Sequence, residues 1–396
     1  MINIIRGRID PMDIAPNAVR SVGPAHGGMV ALAALTACLA GSLQAQSLDR
    51  SPWSYDHDLR MTYEVDDNVA EFIDDPVRAQ VARLAYRGDL RWGASTEQRL
   101  SLSYQGGMKR HFGGNEFDVT NQFINEGTVG YQRRVADNVA LGGTVGIKNR
   151  AWTDGFFFIN EDGFTRVSGS VSGLVNLTPL SDGESARLEV GGRYSDTDFE
   201  NLDAAFGNHL IGAYASITKE IGTDLTAKWD YAFDRVRYPG RGRLEPGDDP
   251  TAILRGITRP RQEDHLHELG TMVTWLGPVS IQAEYSFRLN DSNSFGFSYV
   301  SHNIGMQVLR RLPWGMLVQL YGQVELRDFS EPVPDIEVGS LDTGESENNV
   351  LLLRLVKDVT PDYSVEVRYG RYRNEAITLN DFYTKNIYAI GMNYRP

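Results

Sequence analysis

From about Trp53 onward, apolar residues recur at every second position, and the pattern restarts at intervals of roughly twenty residues up to the C-terminus. Val279-Ser280-Ile281-Gln282-Ala283-Glu284-Tyr285-Ser286-Phe287-Arg288-Leu289 shows it most plainly. Successive side chains of a strand point to opposite faces, so Val, Ile, Ala, Tyr, Phe and Leu share one face and Ser, Gln, Glu, Ser and Arg the other. Strands of a soluble sandwich also alternate, but they usually run about five or six residues. Here the alternation persists for about ten to fifteen. Long strands that are charged on one side and apolar on the other, with aromatics near the apolar ends, predict an all-β fold: a transmembrane antiparallel up-and-down β-barrel with lipid outside and water inside.

Composition supports the same class. No apolar run in the 396 residues reaches the ~18 that a membrane-spanning helix needs. Forty glycines and eighteen tyrosines suit strands and turns better than helices. The net charge of −13 argues against a nucleic-acid partner, because phosphate binding requires a concentrated basic face.

Residues 1–45 read as a removable export signal. Arg6, Arg8 and Arg20 lie in the n-region, Met29 to Ala40 form the apolar stretch, and Leu43-Gln44-Ala45 ends in a small-residue cleavage site. The only cysteine, Cys38, falls inside this segment, so processing after Ala45 leaves no disulfide to form. Leu35-Thr36-Ala37-Cys38 also fits a lipoprotein signal, which makes lipid attachment at Cys38 the alternative. Residues 46–52 are then a short periplasmic lead-in and residues 53–396 the barrel, with the bacterial outer membrane as the expected location.

Turn-forming residues cluster at Ala94–Thr96, Ala136–Asn138, Pro179–Gly183, Gly222–Asp224, Gly277-Pro278, Pro313–Gly315 and Pro361-Asp362. Longer polar stretches alternate with them: Asp66–Val77, Gly113–Asp118, Thr153–Asp162, Asp196–Phe206, Pro239–Pro260, Asp291–Phe297, Glu331–Glu345 and Asn374–Asp381. Strict alternation of short and long connections predicts about sixteen strands, with short periplasmic turns, longer extracellular loops and both chain ends on the short-turn side.

The face with Leu59, Met61, Tyr63 and Val65, and later Trp229, Tyr231 and Phe233, is assigned to lipid. An Arg or Lys at mid-bilayer would cost roughly 2–4 kcal/mol on that face, which fixes the register. Trp92, Trp275, Trp314 and Tyr363 fall beside short turns, where an interfacial aromatic girdle belongs. The inward set then holds the candidate selectivity residues. Arg83, Arg87 and Arg91 form a basic ladder with Arg60 and Arg99 on neighbouring strands. Glu284, Glu325, Arg327, Glu366 and Arg368 come from late strands, toward the seam where the barrel closes. Opposed charges across a lumen orient solutes and set ion preference; the same charges could equally pair and stiffen the wall. Pro239–Pro260, with Arg241, Arg243, Glu245, Asp248 and Asp249, is the candidate inward-folded gating loop; the alternative is an external loop.

Other constellations are weaker. His265-Leu266-His267-Glu268 puts two histidines on one face without an assignable third ligand, so no metal site is expected. The acidic groups Asp66-Asp67, Asp74-Asp75, Glu161-Asp162 and Asp196-x-Asp198-x-Glu200 place carboxylates in the outer loops, where they could take divalent cations bridging lipopolysaccharide or simply remain solvated. Ser301 and His302, as neighbours, point to opposite faces, which forbids a nucleophile–base pair. Neither an enzymatic activity nor a cofactor is expected. Small outer-face residues Gly143, Gly192, Ala213 and Ala215 would allow a homotrimer, or would ease strand curvature.

Tyr63-Glu64-Val65-Asp66-Asp67-Asn68-Val69 is similar to the segment that often ends the first strand in putative outer-membrane β-barrel porin families. The chain resembles those families along its whole mature length. Tyr388, Ile390, Met392 and Tyr394 likewise resemble the closing-strand signal read by the barrel-assembly machinery, although Pro396 replaces the usual terminal aromatic. The resemblance implies a barrel. With the wet lumen, the expected role is passive or weakly selective passage of small hydrophilic solutes; the alternatives are a conduit for exopolysaccharide export and a plugged structural barrel.

Overall fold

The computed structural model describes residues 53–68, 76–95, 97–112, 121–152, 163–177, 184–199, 207–248, 260–331, 349–374 and 383–396. The chain divides into two units, 1–51 and 52–396, and the described residues all belong to the second. The expected export signal with Cys38 and Ala45, and the lead-in 46–52, fall outside them.

The described residues form sixteen strands: β1 (Trp53–Asp66), β2 (Ala79–Ser95), β3 (Gln98–Phe112), β4 (Asn121–Ala136), β5 (Val139–Trp152), β6 (Phe164–Leu177), β7 (Glu184–Phe199) and β8 (Asn208–Ile221) in the first half. The second half holds β9 (Leu225–Gly242), β10 (Arg261–Leu276), β11 (Val279–Ser292), β12 (Tyr299–Leu312), β13 (Met316–Phe329), β14 (Asn349–Asp358), β15 (Tyr363–Asn374) and β16 (Tyr383–Tyr394). Each pairs antiparallel with its sequence neighbour, and β1 pairs with β16, so the sheet closes into an up-and-down barrel. The expected strand number, closure and order of short and long connections all hold.

Two predicted boundaries move by four residues each. β7 runs to Phe199, so Asp196 and Asp198 are strand residues rather than loop acids; Asp196 Oδ1 sits 2.8 Å from His209 Nδ1 on β8. β9 continues to Gly242, which brings Arg241 into the strand. Both ends lengthen because the cross-strand partners continue the ladder, and a paired ladder satisfies backbone groups that turn-prone side chains alone would leave open.

Burial is inverted relative to a soluble protein. The largest fully buried side chains are Gln122, Gln262, Glu64, Glu366, Asn68, Thr197 and Ser294, all polar. Large apolar groups are outside instead: Val171 is 69% exposed, Val145 63% and Ile211 61%. From Leu225 to Phe233 the outward residues of β9 cover roughly 20 Å of barrel height, at about 3.3 Å per residue and the usual strand tilt. That matches the ~25 Å apolar band of a membrane barrel. An apolar surface of this extent cannot face water at equilibrium.

At the short-turn end, Trp53 and Trp92 meet with ring centroids 6.0 Å apart, and Tyr363 and Tyr394 at 4.8 Å. Trp314, in the turn between β12 and β13, is 80% exposed and holds a left-handed backbone at φ 64°. A bulky residue there is strained. Its exposed indole belongs to the short-turn end of the barrel, where Trp53, Trp92 and Tyr363 also stand and where interfacial aromatics belong.

The seam is the shortest long-range joint, with eight residue pairs between β1 and β16 against fourteen between β1 and β2. Side chains extend it at both ends. Asp67 accepts from the Asn386 backbone N–H at 2.6 Å and from its Nδ2 at 2.8 Å, while Asn68 Nδ2 donates to the Thr384 carbonyl at 3.3 Å. Asp66 caps the bend by accepting from the Asn68 backbone at 2.9 Å. The Asp-Asp-Asn segment, expected as a free acidic loop, is thus a clasp. At the other end Arg395 Nη2 reaches Asp56 at 3.0 Å, and this bond holds the guanidinium above its ordinary pKa.

Candidate functional site

Antiparallel partners share a face, so the buried Glu64 and Thr62 carry the assignment from strand to strand around the ring. Thr62 faces Arg83, which faces Lys109; Asp58 faces Arg87, which faces Gln105. By the same pairing Arg60, Arg91, Arg99, Glu284, Glu325, Arg327, Glu366 and Arg368 all lie on the inner wall. Their grouping differs from the sequence-based expectation. Of the late-strand set only Glu366 and Arg368, on β15, stand by the seam, where they join Arg60 of β1. Glu284, on β11, lies half the ring away from β3, because closure places strands eight apart on opposite sides. Arg91 and Arg99 lie toward the short-turn rim, apart from Arg60, Arg83 and Arg87.

Many of these charges are paired. Glu64 is held between Arg83 Nη2, at 3.0 Å, and Arg368 on the far side of the seam. Glu366 binds Arg354 of β14 and accepts from Asn393 Nδ2 at 3.4 Å. Asn393 in turn accepts from Arg60 Nε at 2.8 Å. Further round, Glu325 pairs with Arg327 at 2.9 Å and Glu268 with Arg288 at 3.2 Å. A carboxylate buried this deeply is tolerated only with such partners. The mesh ties neighbouring strands of the wall together.

The wall formed by β9 to β13 turns more acids than bases inward. Asp230, Asp234, Asp264, Glu268, Glu284 and Glu325 stand against Lys228, Arg241, Arg288, Arg311 and Arg327. Glycines set how far these acids project. A Cβ on Gly212 would lie 1.9 Å from Asp234 Oδ1, and one on Gly305 would lie 2.3 Å from Glu284 Oε1. Each carboxylate therefore lies flat across the bare backbone of the adjacent strand. Asp234 continues over Gly212 to Arg193 Nε on β7, at 2.8 Å.

The base of the 239–260 loop is packed rather than loose. Arg241 is buried, its guanidinium 4.4 Å from the Tyr238 ring centroid and its Nη1 3.3 Å from Gln262 Oε1. Leu244 is buried and donates its backbone N–H to Ser294 Oγ at 2.9 Å. Arg243 Nη2 and Glu245 pair at 3.1 Å, and Asp248 accepts from the Glu245 backbone at 2.8 Å. Of the five proposed gating residues, Arg241 anchors the loop base instead of offering a free charge. Asp249 and the loop tip lie outside the described residues, as do Asp74-Asp75 and Glu161-Asp162.

The histidine pair points outward. His265 stacks on Phe233 and lies 3.3 Å from Glu263, while His267 Nδ1 is 2.9 Å from the Tyr231 hydroxyl. Glu268 faces the opposite way, so the three do not converge. Among the described residues no group of three His, Cys, Asp or Glu side chains is placed to hold a metal. Ser301 is buried inside and His302 bonds Tyr285 at 2.8 Å outside. Gly143, Gly192, Ala213 and Ala215 lie on one outer sector, across β5, β7 and β8.

Lys109, Arg354 and Asp58 were not singled out from sequence, although each shapes the inner wall. For Lys109 the signal was present but blurred: Gly106-Gly107 interrupts the alternation of β3 just before it.

No protein-family model matches the chain, and no curated protein does. Among solved structures it is similar to CdiB from Acinetobacter baumannii (TM-score 0.40, 10% identity, 85% of this chain and 60% of that chain). A. baumannii OccAB3 gives a TM-score of 0.42 at 11% identity over 87% of this chain and 99% of that one. Salmonella typhi OmpF in complex with daunomycin gives 0.41 at 11% over 86% and 97%. The chain thus spans less than two thirds of CdiB. All three are outer-membrane β-barrel proteins, and the likeness concerns architecture alone.

Proposed function

We propose that the chain is an outer-membrane channel through which small hydrophilic solutes pass passively, with a preference set by the charges of its inner wall. The observation that carries this reading is the inverted burial. A sixteen-strand cylinder with apolar groups outside and a polar, charged wall inside suits a bilayer around it and water within it. Sixteen-strand barrels are wide enough for an aqueous pore. The export signal read from residues 1–45 agrees with delivery to that membrane. Side chains that lie flat on the wall, such as Asp234 over Gly212, favour an open lumen over a filled one.

Refolded protein in a planar lipid bilayer tests the reading. Stepwise ohmic conductance at low voltage, together with swelling of sugar-loaded liposomes, is the expected outcome. A correctly folded barrel that conducts nothing and admits no sugar would overturn it and favour the plugged or partner-gated alternatives.

A further inference from the structure

The inner wall between β1 and β4 carries a hollow that the channel reading does not require. Its floor is a row of mostly short side chains, Ala85 and Gly107, with Ile124 beside them and Arg60 opposite. One inward row toward the long-loop end holds Arg83, Lys109 and Gln122; one row toward the short-turn end holds Asp58, Arg87, Gln105 and Glu126. Inward side chains of adjacent rows stand about 7 Å apart along a strand, so the long cations overhang the short row. The result is a recess of about 350 Å³ lined by these residues. That volume is within the range of small-molecule sites.

Its charge is lopsided. Arg60, Arg83, Arg87 and Lys109 line it against one acid, Asp58, which lies 4.0 Å from Arg60 Nη2. Three acids stand just outside the lining, and two of them also serve cations outside it. Glu64 is shared between Arg83 and Arg368, Glu126 accepts from Gln105 Nε2 at 3.0 Å and faces Lys148 on β5, and Asp89 takes Arg87 through Nε at 3.0 Å. The Arg87 side chain, which lines the hollow, remains 64% exposed. Guanidinium and ammonium groups converging on one cavity are the donor set for carboxylate and phosphate oxygens, while Ala85 and Ile124 offer apolar contact to a carbon skeleton.

We propose that this recess is a binding subsite for small organic anions, solutes that carry carboxylate or phosphate groups on a compact body. The proposal rests on the channel reading for its physiological meaning, but the binding itself does not need an open pore. An anion held at the wall passes along the lumen with its far side free, so solutes of this class would be concentrated in the pore relative to neutral ones.

The test uses citrate and inorganic phosphate as separate probes on the full barrel. In single-channel recordings, millimolar citrate should produce concentration-dependent flicker block, and the pair Arg87→Gln with Lys109→Gln should weaken that block at least about tenfold. A charge-matched pair elsewhere on the wall, Arg99→Gln with Lys228→Gln, removes the same lumen charge away from the recess and should weaken the block by no more than about twofold. Block by citrate but not phosphate assigns a carboxylate site with carbon contacts; block by both assigns general oxyanion binding. Equal block in wild type and in the recess variant, or equal loss in both variant pairs, overturns the proposal. If the folded barrel conducts nothing, the channel reading fails and titration calorimetry with citrate decides the subsite. Binding that the recess pair abolishes keeps the proposal, and absence of binding in the wild type ends it. Arg83 is left intact throughout, because it holds Glu64; the heat-shifted gel mobility of folded barrels verifies both variants.

Discussion

The wall at β1–β4 and the wall at β9–β13 stand across the lumen from each other and handle charge in opposite ways. On the acidic side a glycine sits beside the acid on the neighbouring strand, as Gly212 does for Asp234 and Gly305 for Glu284, and the carboxylates lie down. On the basic side the small residues Ala85 and Gly107 stand side by side in one row, between Arg60 and Ile124, and long cations stand above and below them. Where a chain places its smallest residues therefore decides whether a charged wall is flat or hollow. Charge sign alone does not.

The largest effect expected from breaking this contrast is at Glu64, which lies 2% exposed between Arg83 and Arg368. Glu64→Gln leaves two arginines with a neutral partner, and removing one member of a buried pair costs about 3–5 kcal/mol. The lower end applies because both arginines keep partial contact with solvent. Urea unfolding in detergent micelles measures it, and a loss below about 1 kcal/mol would show that water screens the pair.

Next comes the glycine cradle. Gly305→Val puts methyl groups where the Glu284 carboxylate lies and forces it into the lumen. Overpacking of this kind costs typically ~1–3 kcal/mol. Single-channel conductance should fall as the carboxylate is displaced toward the pore axis. Unchanged conductance in a stable variant would mean that the flat wall has no bearing on pore width.

A smaller effect follows from removing acid without changing shape. Asp230→Asn with Glu284→Gln should shift the reversal potential in a salt gradient toward anions, by a factor of about two in permeability ratio at low salt and less at high salt. A shift toward cations would contradict the assignment of these residues to the lumen. Smallest is Trp314→Gly. The left-handed backbone at φ 64° suits glycine, so the variant should gain up to about 1 kcal/mol in detergent. In lipid vesicles that gain should shrink, because the interfacial indole is lost.

The cylinder was legible because its determinants are local. Period-two alternation assigns faces, and the turn residues at Gly277-Pro278 or Pro313–Gly315 mark where strands reverse. The hollow was not legible. It depends on which residue of β3 stands beside Ala85, and that register is fixed by pairing rather than by periodicity. Glu64 shows the limit most sharply. Its alternation places it inside, but its partners are nineteen and 304 positions away, and no pattern in the sequence joins Glu64 to Arg368. The Asp66-Asp67-Asn68 run was legible as a motif and misread as solvated acid, because its partner strand comes from the opposite end of the chain.

The clasp between Asp67 and Asn386 spans 319 positions, so no earlier piece of the polypeptide can rehearse it. Loop-closure entropy for such a join is spent in one step, when the first and last strands find each other. Nearly all residues must therefore emerge before the ring becomes edge-free, and until then two unpaired margins are open to wrong neighbours. Asp67→Ala would lengthen that interval, and a pulse-chase of protease sensitivity would time it.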